Sequence, residues 1–368
     1  MTWAVWITGL PGSGKSAVAR AAVEAISTAS APVASLELDE MRRLVTPAPA
    51  YSDAERDLVY RALVFVASTL VEAGVPVIID ATAHRRAWRD LARAVIPHFA
   101  EVQLTCPLDV CRSREQARAG GHAPRGVYAA AGRPGGRVPG VDVPYEPAAS
   151  PELTVDTTRE TPAAAAARVA KLVADWPRVP PRSTVTGWTV WITGLPGSGK
   201  TTIASGVAES LTGRGIGVRV LDCMDVRAFV AGPSWSPLAE DITHRTLVYT
   251  ARRLNEVGIP VIVDATAPER AWRELARATI PRFSEVQLVC PADVCATRER
   301  AVRWRLLECP HQSAPSRRAY GPDIALAYEH AFGPELTIHT DVEDPVSAAA
   351  TVVHLTMRLQ AADSARVA

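Results

Sequence analysis

Gly9-Leu10-Pro11-Gly12-Ser13-Gly14-Lys15-Ser16 occurs a second time in this sequence, as Gly194-Leu195-Pro196-Gly197-Ser198-Gly199-Lys200-Thr201. Both stretches fit G-x-x-x-x-G-K-[ST], a spacing suited to cradling phosphates. Glycines let the backbone curl so that several N–H groups converge on an anion, and the helix that follows adds its positive N-terminus. Lys15 and Lys200 are placed to reach the β- and γ-phosphates, and the Ser16 and Thr201 hydroxyls to ligate Mg2+. ATP and Mg2+ are therefore the expected cofactors.

Further residues could act on a triphosphate held there. Asp80 and Asp264 end the apolar runs Val75–Ile79 and Ile259–Val263. At the carboxyl end of a parallel strand such an Asp can hold Mg2+ through water; the alternative is an N-cap on the next helix. Asp39 follows Lys15 by 24 positions, where the second stretch has Met224; Arg42 and Arg227 occupy matching places three residues on. Asp39 could accept the proton of a substrate hydroxyl while the arginine holds an anionic group, or this could be a solvated helix start. Arginines cluster at 112, 114 and 118, and again at 298, 300, 303 and 305. They could neutralise a transferring phosphoryl group or form a solvated helix face.

The elements that must position these groups are legible in the pattern. Trp3–Thr8 and Trp188–Thr193 read as buried strands before each glycine-rich loop, and a helix-compatible segment follows each loop. In the first copy the expected order is strand 3–8, helix 15–29, strand 33–38, helices near 39–45 and 52–74, and strand 76–80. Helix 85–96, strand 100–105, helix 107–119, a Gly/Pro-rich loop 120–147, strand 152–155 and helix 161–175 follow. Alternating strands and helices predict an α/β protein, each domain a mostly parallel sheet flanked by helices. The long loop suits a lid or substrate loop.

The whole pattern repeats after about 185 residues, and Ala87–Cys111 matches Ala271–Cys295 at most positions. So long a period predicts two duplicated domains, 1–176 and 188–368, joined by a Pro-rich linker at 177–187. The duplication offers an internal pseudo-dimer or a homodimer as assemblies. With 368 residues, 48% of them apolar, two cores are feasible. A net charge of +1 gives no reason to expect a nucleic-acid or membrane partner. Six cysteines form no C-x-x-C pair or zinc spacing. No stretch looks like a signal peptide or a membrane span, so a cytoplasmic protein is expected.

At this depth the sequence resembles adenylylsulfate (APS) kinase, which uses ATP to phosphorylate the 3′-hydroxyl of adenosine 5′-phosphosulfate. The resemblance covers nearly all of each repeat. It is densest in W-I-T-G-L-P-G-S-G-K-S, in E-V-Q-L-T-C-P-L-D-V-C-R-S-R, and in Gly140–Glu152 with Leu153–Thr157. It implies a P-loop kinase fold and a small hydroxyl acceptor, APS or another nucleotide or metabolite. Asp39, Arg42, Arg56 and Tyr145 fall in the matching acceptor-side motifs; Arg114 and Arg298 end the two C-P-x-D-V-C-x-x-R stretches and are assigned to nucleotide. Some positions depart from the family. Val59 replaces an asparagine, and Ala81 and Val138 replace two aromatic residues. Asp80-Ala81-Thr82 resembles small-molecule and polynucleotide kinases instead. The second copy keeps Asp222, Arg227 and Asp264 but has Glu240 where Arg56 falls and Ala327-Tyr328-Glu329 in place of Pro144-Tyr145-Glu146. Nucleotide binding is therefore expected in both copies, with acceptor recognition eroded in the second.

Overall fold

The computed structural model describes residues 2–27, 32–118, 120–122, 124, 126–133, 136–177, 187–233, 236–308 and 327–367, with side chains omitted at 302–308 and 362–367. The chain divides into two compact units, Met1–Arg182 and Ser183–Ala368. Most of the expected linker, 178–186, lies outside the described residues.

The N-terminal unit is built on β1 (Trp3–Thr8), α1 (Lys15–Ile26), β2 (Ala34–Glu37), α2 (Leu38–Val45), α3 (Asp53–Glu72) and β3 (Val77–Asp80). It continues with α4 (Arg86–Val95), β4 (His98–Thr105), α5 (Leu108–Ala117), β5 (Leu153–Asp156) and α6 (Pro162–Leu172). Its strands lie in the order β2-β3-β1-β4-β5, with every pairing parallel. The β1 sequence WAVWIT is apolar up to its last residue, Thr8, and buried throughout because both faces of this central strand are covered. Trp3, Val5 and Ile7 pack with Val18, Ala22, Ala165 and Val169 from α1 and α6. Trp6 points the other way, stacks on Tyr60 of α3 and donates its indole N–H to the Ala81 carbonyl at 3.0 Å.

The C-terminal unit repeats this plan with β6 (Thr189–Thr193), α7 (Lys200–Gly213), β7 (Arg219–Asp222), α8 (Cys223–Val230), α9 (Pro237–Glu256) and β8 (Val261–Asp264). Then come α10 (Arg270–Thr279), β9 (Phe283–Val289), α11 (Ala292–Glu308), β10 (Leu336–His339) and α12 (Pro345–Val367). The sheet order β7-β8-β6-β9-β10 matches that of the first unit. Both units are thus α/β, with five-stranded parallel sheets flanked by helices. Strand order reverses at the central strand in each, and the crevice beyond the strands' carboxyl ends opens there. Among the described residues no helix is long and apolar enough to cross a membrane.

Candidate active site

The glycine-rich loop leaves β1 at Thr8 and enters α1 at Lys15. Two glycines explain why the sequence cannot vary there. Gly12 has φ +77°, and a Cβ on it would lie 2.2 Å from the Cys111 carbonyl oxygen; Gly197 stands in the same relation to Cys295. Gly14 and Gly199 cap their helices in the left-handed conformation, with no side chain bonded to the first-turn N–H groups. Lys15 Nζ donates to the Leu10 carbonyl at 3.0 Å, and Lys200 Nζ to those of Gly194 and Leu195 at 3.1 and 3.0 Å. Burial lowers the pKa of both ammonium groups; Asp80 and then Asp39 oppose it for Lys15. Ser13 and Ser198 each bury a hydroxyl that makes no hydrogen bond. A charged ammonium, open first-turn N–H groups and an unused hydroxyl in one loop fit a bound polyphosphate.

Asp80 ends β3 in register with Ile7 of β1 and Glu37 of β2, which puts its carboxylate at the crevice. Burial raises its pKa to about 6, opposed by Lys15 and by a hydrogen bond with Ser16. In the C-terminal unit Thr201 Oγ1 donates to Asp264 Oδ2 at 2.6 Å. The alternative role is excluded: α4 begins at Arg86 and α10 at Arg270, so neither aspartate caps a helix. Among the described residues no group of three or more His, Cys, Asp or Glu could hold a metal. Mg2+ does not need one, since it keeps several waters and takes one or two protein ligands beside substrate phosphates.

Across the crevice in the N-terminal unit, Asp39 sits in the first turn of α2. Burial raises its pKa, opposed first by the charge of Lys15 and then by that of Arg42, so this carboxylate lies within electrostatic reach of the loop lysine. Arg42 is buried in an ion pair with Glu55 of α3, Nη1 to Oε1 3.0 Å, and lies over the Tyr51 ring. Glu55 also accepts from Ala50 N at 2.6 Å and Tyr51 N at 3.3 Å. The next residue, Arg56, is 8% exposed; its Nη2 donates to the Arg137 carbonyl at 2.8 Å and its Nη1 has no partner. Asp39, Arg42 and Arg56 therefore converge on one side of the crevice, with Arg42 committed to Glu55 and Arg56 holding a spare donor.

The described part of loop 120–147 closes over this side. Glu115 of α5 accepts from Gly126 N at 2.7 Å and Val127 N at 3.2 Å. Tyr128 donates its hydroxyl to the Pro11 carbonyl at 2.8 Å, and His122 Nδ1 lies 2.9 Å from Glu37 Oε2. Val138 packs with Cys111 and Tyr128 beside Leu10. These contacts tie the loop to the phosphate cradle. Glu55, Glu115 and Tyr128 were not singled out by sequence. Ser52-x-x-Glu55 carries the spacing of a helix-start signal, and Tyr128 is a lone aromatic in a Gly/Pro-rich run.

Other sequence-predicted residues have well-defined partners. Arg114, on exposed α5, donates to Thr157 Oγ1 at 3.0 Å and its carbonyl at 2.8 Å; Arg298 makes the same pair of bonds to Thr340 at 3.4 and 2.8 Å. Thr157 also approaches Gly14, so Arg114 borders the cradle. The Tyr145 hydroxyl lies 2.9 Å from Thr8 Oγ1 with Arg89 over its ring, and Tyr328 repeats this with Thr193 and Arg273.

The C-terminal unit keeps the cradle but changes the wall. Met224 takes the place of Asp39, and Asp222 caps α8 by accepting from Met224 N at 2.7 Å. Arg227 faces Glu240, Nε to Oε2 3.9 Å. His244, in the place of Tyr60, stacks on Trp272 and lies 3.7 Å from Cys223 Sγ. The segment matching most of the N-terminal loop, 309–326, lies outside the described residues.

With this geometry in place, a family profile described as adenylylsulphate kinase matches residues 1–156 and 186–303. The chain belongs to the adenylylsulphate kinase family. It is similar to a probable adenylyl-sulfate kinase of Archaeoglobus fulgidus, 34% identical over 162 residues that make up 43% of this chain and 98% of the relative. An adenylyl-sulfate kinase of Geotalea uraniireducens is 36% identical over 160 residues, 42% of this chain and 72% of the relative. Among solved structures, Mycobacterium tuberculosis APS kinase CysC in complex with AMPPNP and APS aligns with 47% of this chain and 99% of its own, at 27% identity and a TM-score of 0.39. Each relative spans about one unit of the duplicated chain.

Proposed function

We propose that the N-terminal unit is an ATP- and Mg2+-dependent kinase acting on the 3′-hydroxyl of APS, and that the C-terminal unit binds nucleotide without transferring a phosphoryl group. The observation that supports this reading is an Asp39 carboxylate in the first turn of α2, near enough to Lys15 for each charge to act on the other, where the second unit has Met224. Lys15 and the loop amides hold the triphosphate, and Ser16 with Asp80 holds the metal. Bound Mg2+ neutralises charge on the β- and γ-phosphates. Asp39 orients the acceptor hydroxyl and takes its proton as the new O–P bond forms. Arg56, with a spare Nη1, counters the acceptor's negative charge, and Arg42, held by Glu55, lines the wall beside it. The cytoplasmic location expected from the sequence belongs to the same reading.

A second acceptor reading rests on Ala81 and Val138, only 2% and 5% exposed, at positions where the family resemblance places aromatic stacking surfaces. A base stacked on an aromatic side chain contributes ~1–3 kcal/mol, so their loss favours a different hydroxyl-bearing nucleotide or metabolite. Coupled ADP release with ATP and a panel of acceptors separates the two. Turnover best with APS supports the first reading. No release above background with APS, and turnover of another hydroxyl compound, selects the second.

A further inference from the structure

We infer that the residue pair 239–240 denies the C-terminal unit an anionic acceptor. This rests on the reading that the crevice wall beside α2 and α8 receives the acceptor. In the N-terminal unit the pair is Glu55-Arg56. Glu55 is used up: it pairs with Arg42 and accepts two backbone N–H groups, so its charge never faces a ligand. Arg56 then presents a buried Nη1 with no partner, a guanidinium donor left over on the wall that also carries Asp39.

In the C-terminal unit the pair is Ala239-Glu240, so the acid has moved on by one position and the base is gone. The Ala239 side chain cannot reach Arg227 as Glu55 reaches Arg42. Glu240, at the place of Arg56, supplies the negative charge opposite Arg227 at 3.9 Å, and its Oε1 lies 3.7 Å from His244 Nδ1. His244 adds no charge at neutral pH, because burial lowers its pKa to about 4. Cys223 adds none, since burial holds the thiol protonated. The two walls therefore differ here by a carboxylate in place of a guanidinium, and Glu240, its side chain 17% exposed, stands at the position from which Arg56 offers its spare donor. Like charges at such a contact disfavour binding strongly in a site shielded from water. Specificity here comes from a repulsive element added to the loss of an attractive one.

Isothermal titration of the full chain tests this, with Mg·ADP counting cradles and APS counting anion-accepting walls. The wild-type chain is expected to take two ADP and one APS. Ala239→Glu combined with Glu240→Arg rebuilds the N-terminal order and is expected to raise APS to two per chain while ADP stays at two. Glu240→Gln removes the charge without adding bulk and is expected to reveal a weaker second APS site; it decides the matter if the double variant loses an ADP site. Two APS on the wild-type chain would overturn the inference. So would no added APS in a variant that still binds two ADP. If the wild-type chain binds no APS, the proposed substrate of the N-terminal unit fails, but one added APS in either variant still supports the present inference.

Discussion

In the proposed mechanism phosphoryl transfer by the N-terminal unit turns on Asp39, and the environment of this residue sets a pH signature. Burial raises its pKa above the ordinary 3.8, with Lys15 and Arg42 pulling it back. As a base it works only when ionised, so activity is present above its pKa and is lost as pH falls through that raised value. Asp39→Asn should lower kcat by about 10^2- to 10^4-fold and flatten the acid limb of the pH–rate profile. An unchanged limb would assign it to another group. His244 offers a stability counterpart in the other unit. Its pKa is lowered to about 4 by burial against Trp272, whereas the unfolded chain protonates near 6.5. The neutral form therefore contributes stability above pH 6.5 that is lost as pH falls toward 4, amounting to ~2 kcal/mol by pH 5. Cys223, Glu240, Asp241 and Arg227 surround it, and only the two carboxylates could offset the charge. His244→Tyr restores the residue type of the N-terminal unit, where Tyr60 stacks on Trp88. Urea unfolding of this variant should depend less on pH between 7 and 5 than that of the wild-type chain.

At the scale of elements, the loop closing the N-terminal crevice hangs on a few hydrogen bonds. The buried Glu115 carboxylate accepts from Gly126 and Val127, and hydrogen bonds to a charged group are worth ~1.5–3 kcal/mol each. Glu115→Ala should therefore speed amide hydrogen exchange across 126–131 by about 10-fold or more, leaving β1 and β4 protected. Equal exchange in loop and strands would mean that the whole unit had loosened. How much of this was legible in the sequence follows from the range of the forces involved. The strands and the cradle were readable because an apolar run such as Trp3–Thr8 and the glycine spacing are local signals. The expected helix ends, 15–29 against Lys15–Ile26 and 161–175 against Pro162–Leu172, missed by a few residues at the C-terminal side, where fraying and capping decide. The pairing of Arg42 with Glu55 was not readable, since it depends on how α2 approaches α3. Nor was the bond from Tyr128 to Pro11, which spans 117 positions. Asp80 could be read two ways from sequence, and only the start of α4 six positions after the end of β3 removed the capping role.

At the scale of the whole molecule, the duplicated units share the glycine-rich loop and differ at the wall beside it. The approach that bars a side chain is the same at Gly12 and Gly197, where a Cβ would lie 2.2 Å from the Cys111 or Cys295 carbonyl oxygen. No such steric constraint protects the acceptor wall, and there Asp39 has become Met224 and Arg56 has become Glu240. Nucleotide affinity and catalysis should therefore come apart when the two lysines are removed separately. Lys15→Ala should abolish turnover while one nucleotide site per chain still binds ADP. Lys200→Ala should leave most turnover intact while also reducing ADP binding to one per chain. Steady-state rates and ADP titration on the same preparations check both halves. If Lys200→Ala abolishes turnover and Lys15→Ala does not, the catalytic assignment passes to the C-terminal unit. If each variant halves the rate, both walls support transfer and Met224 does not prevent it. The proposed division of labour holds only if the two substitutions are equal in binding and unequal in rate.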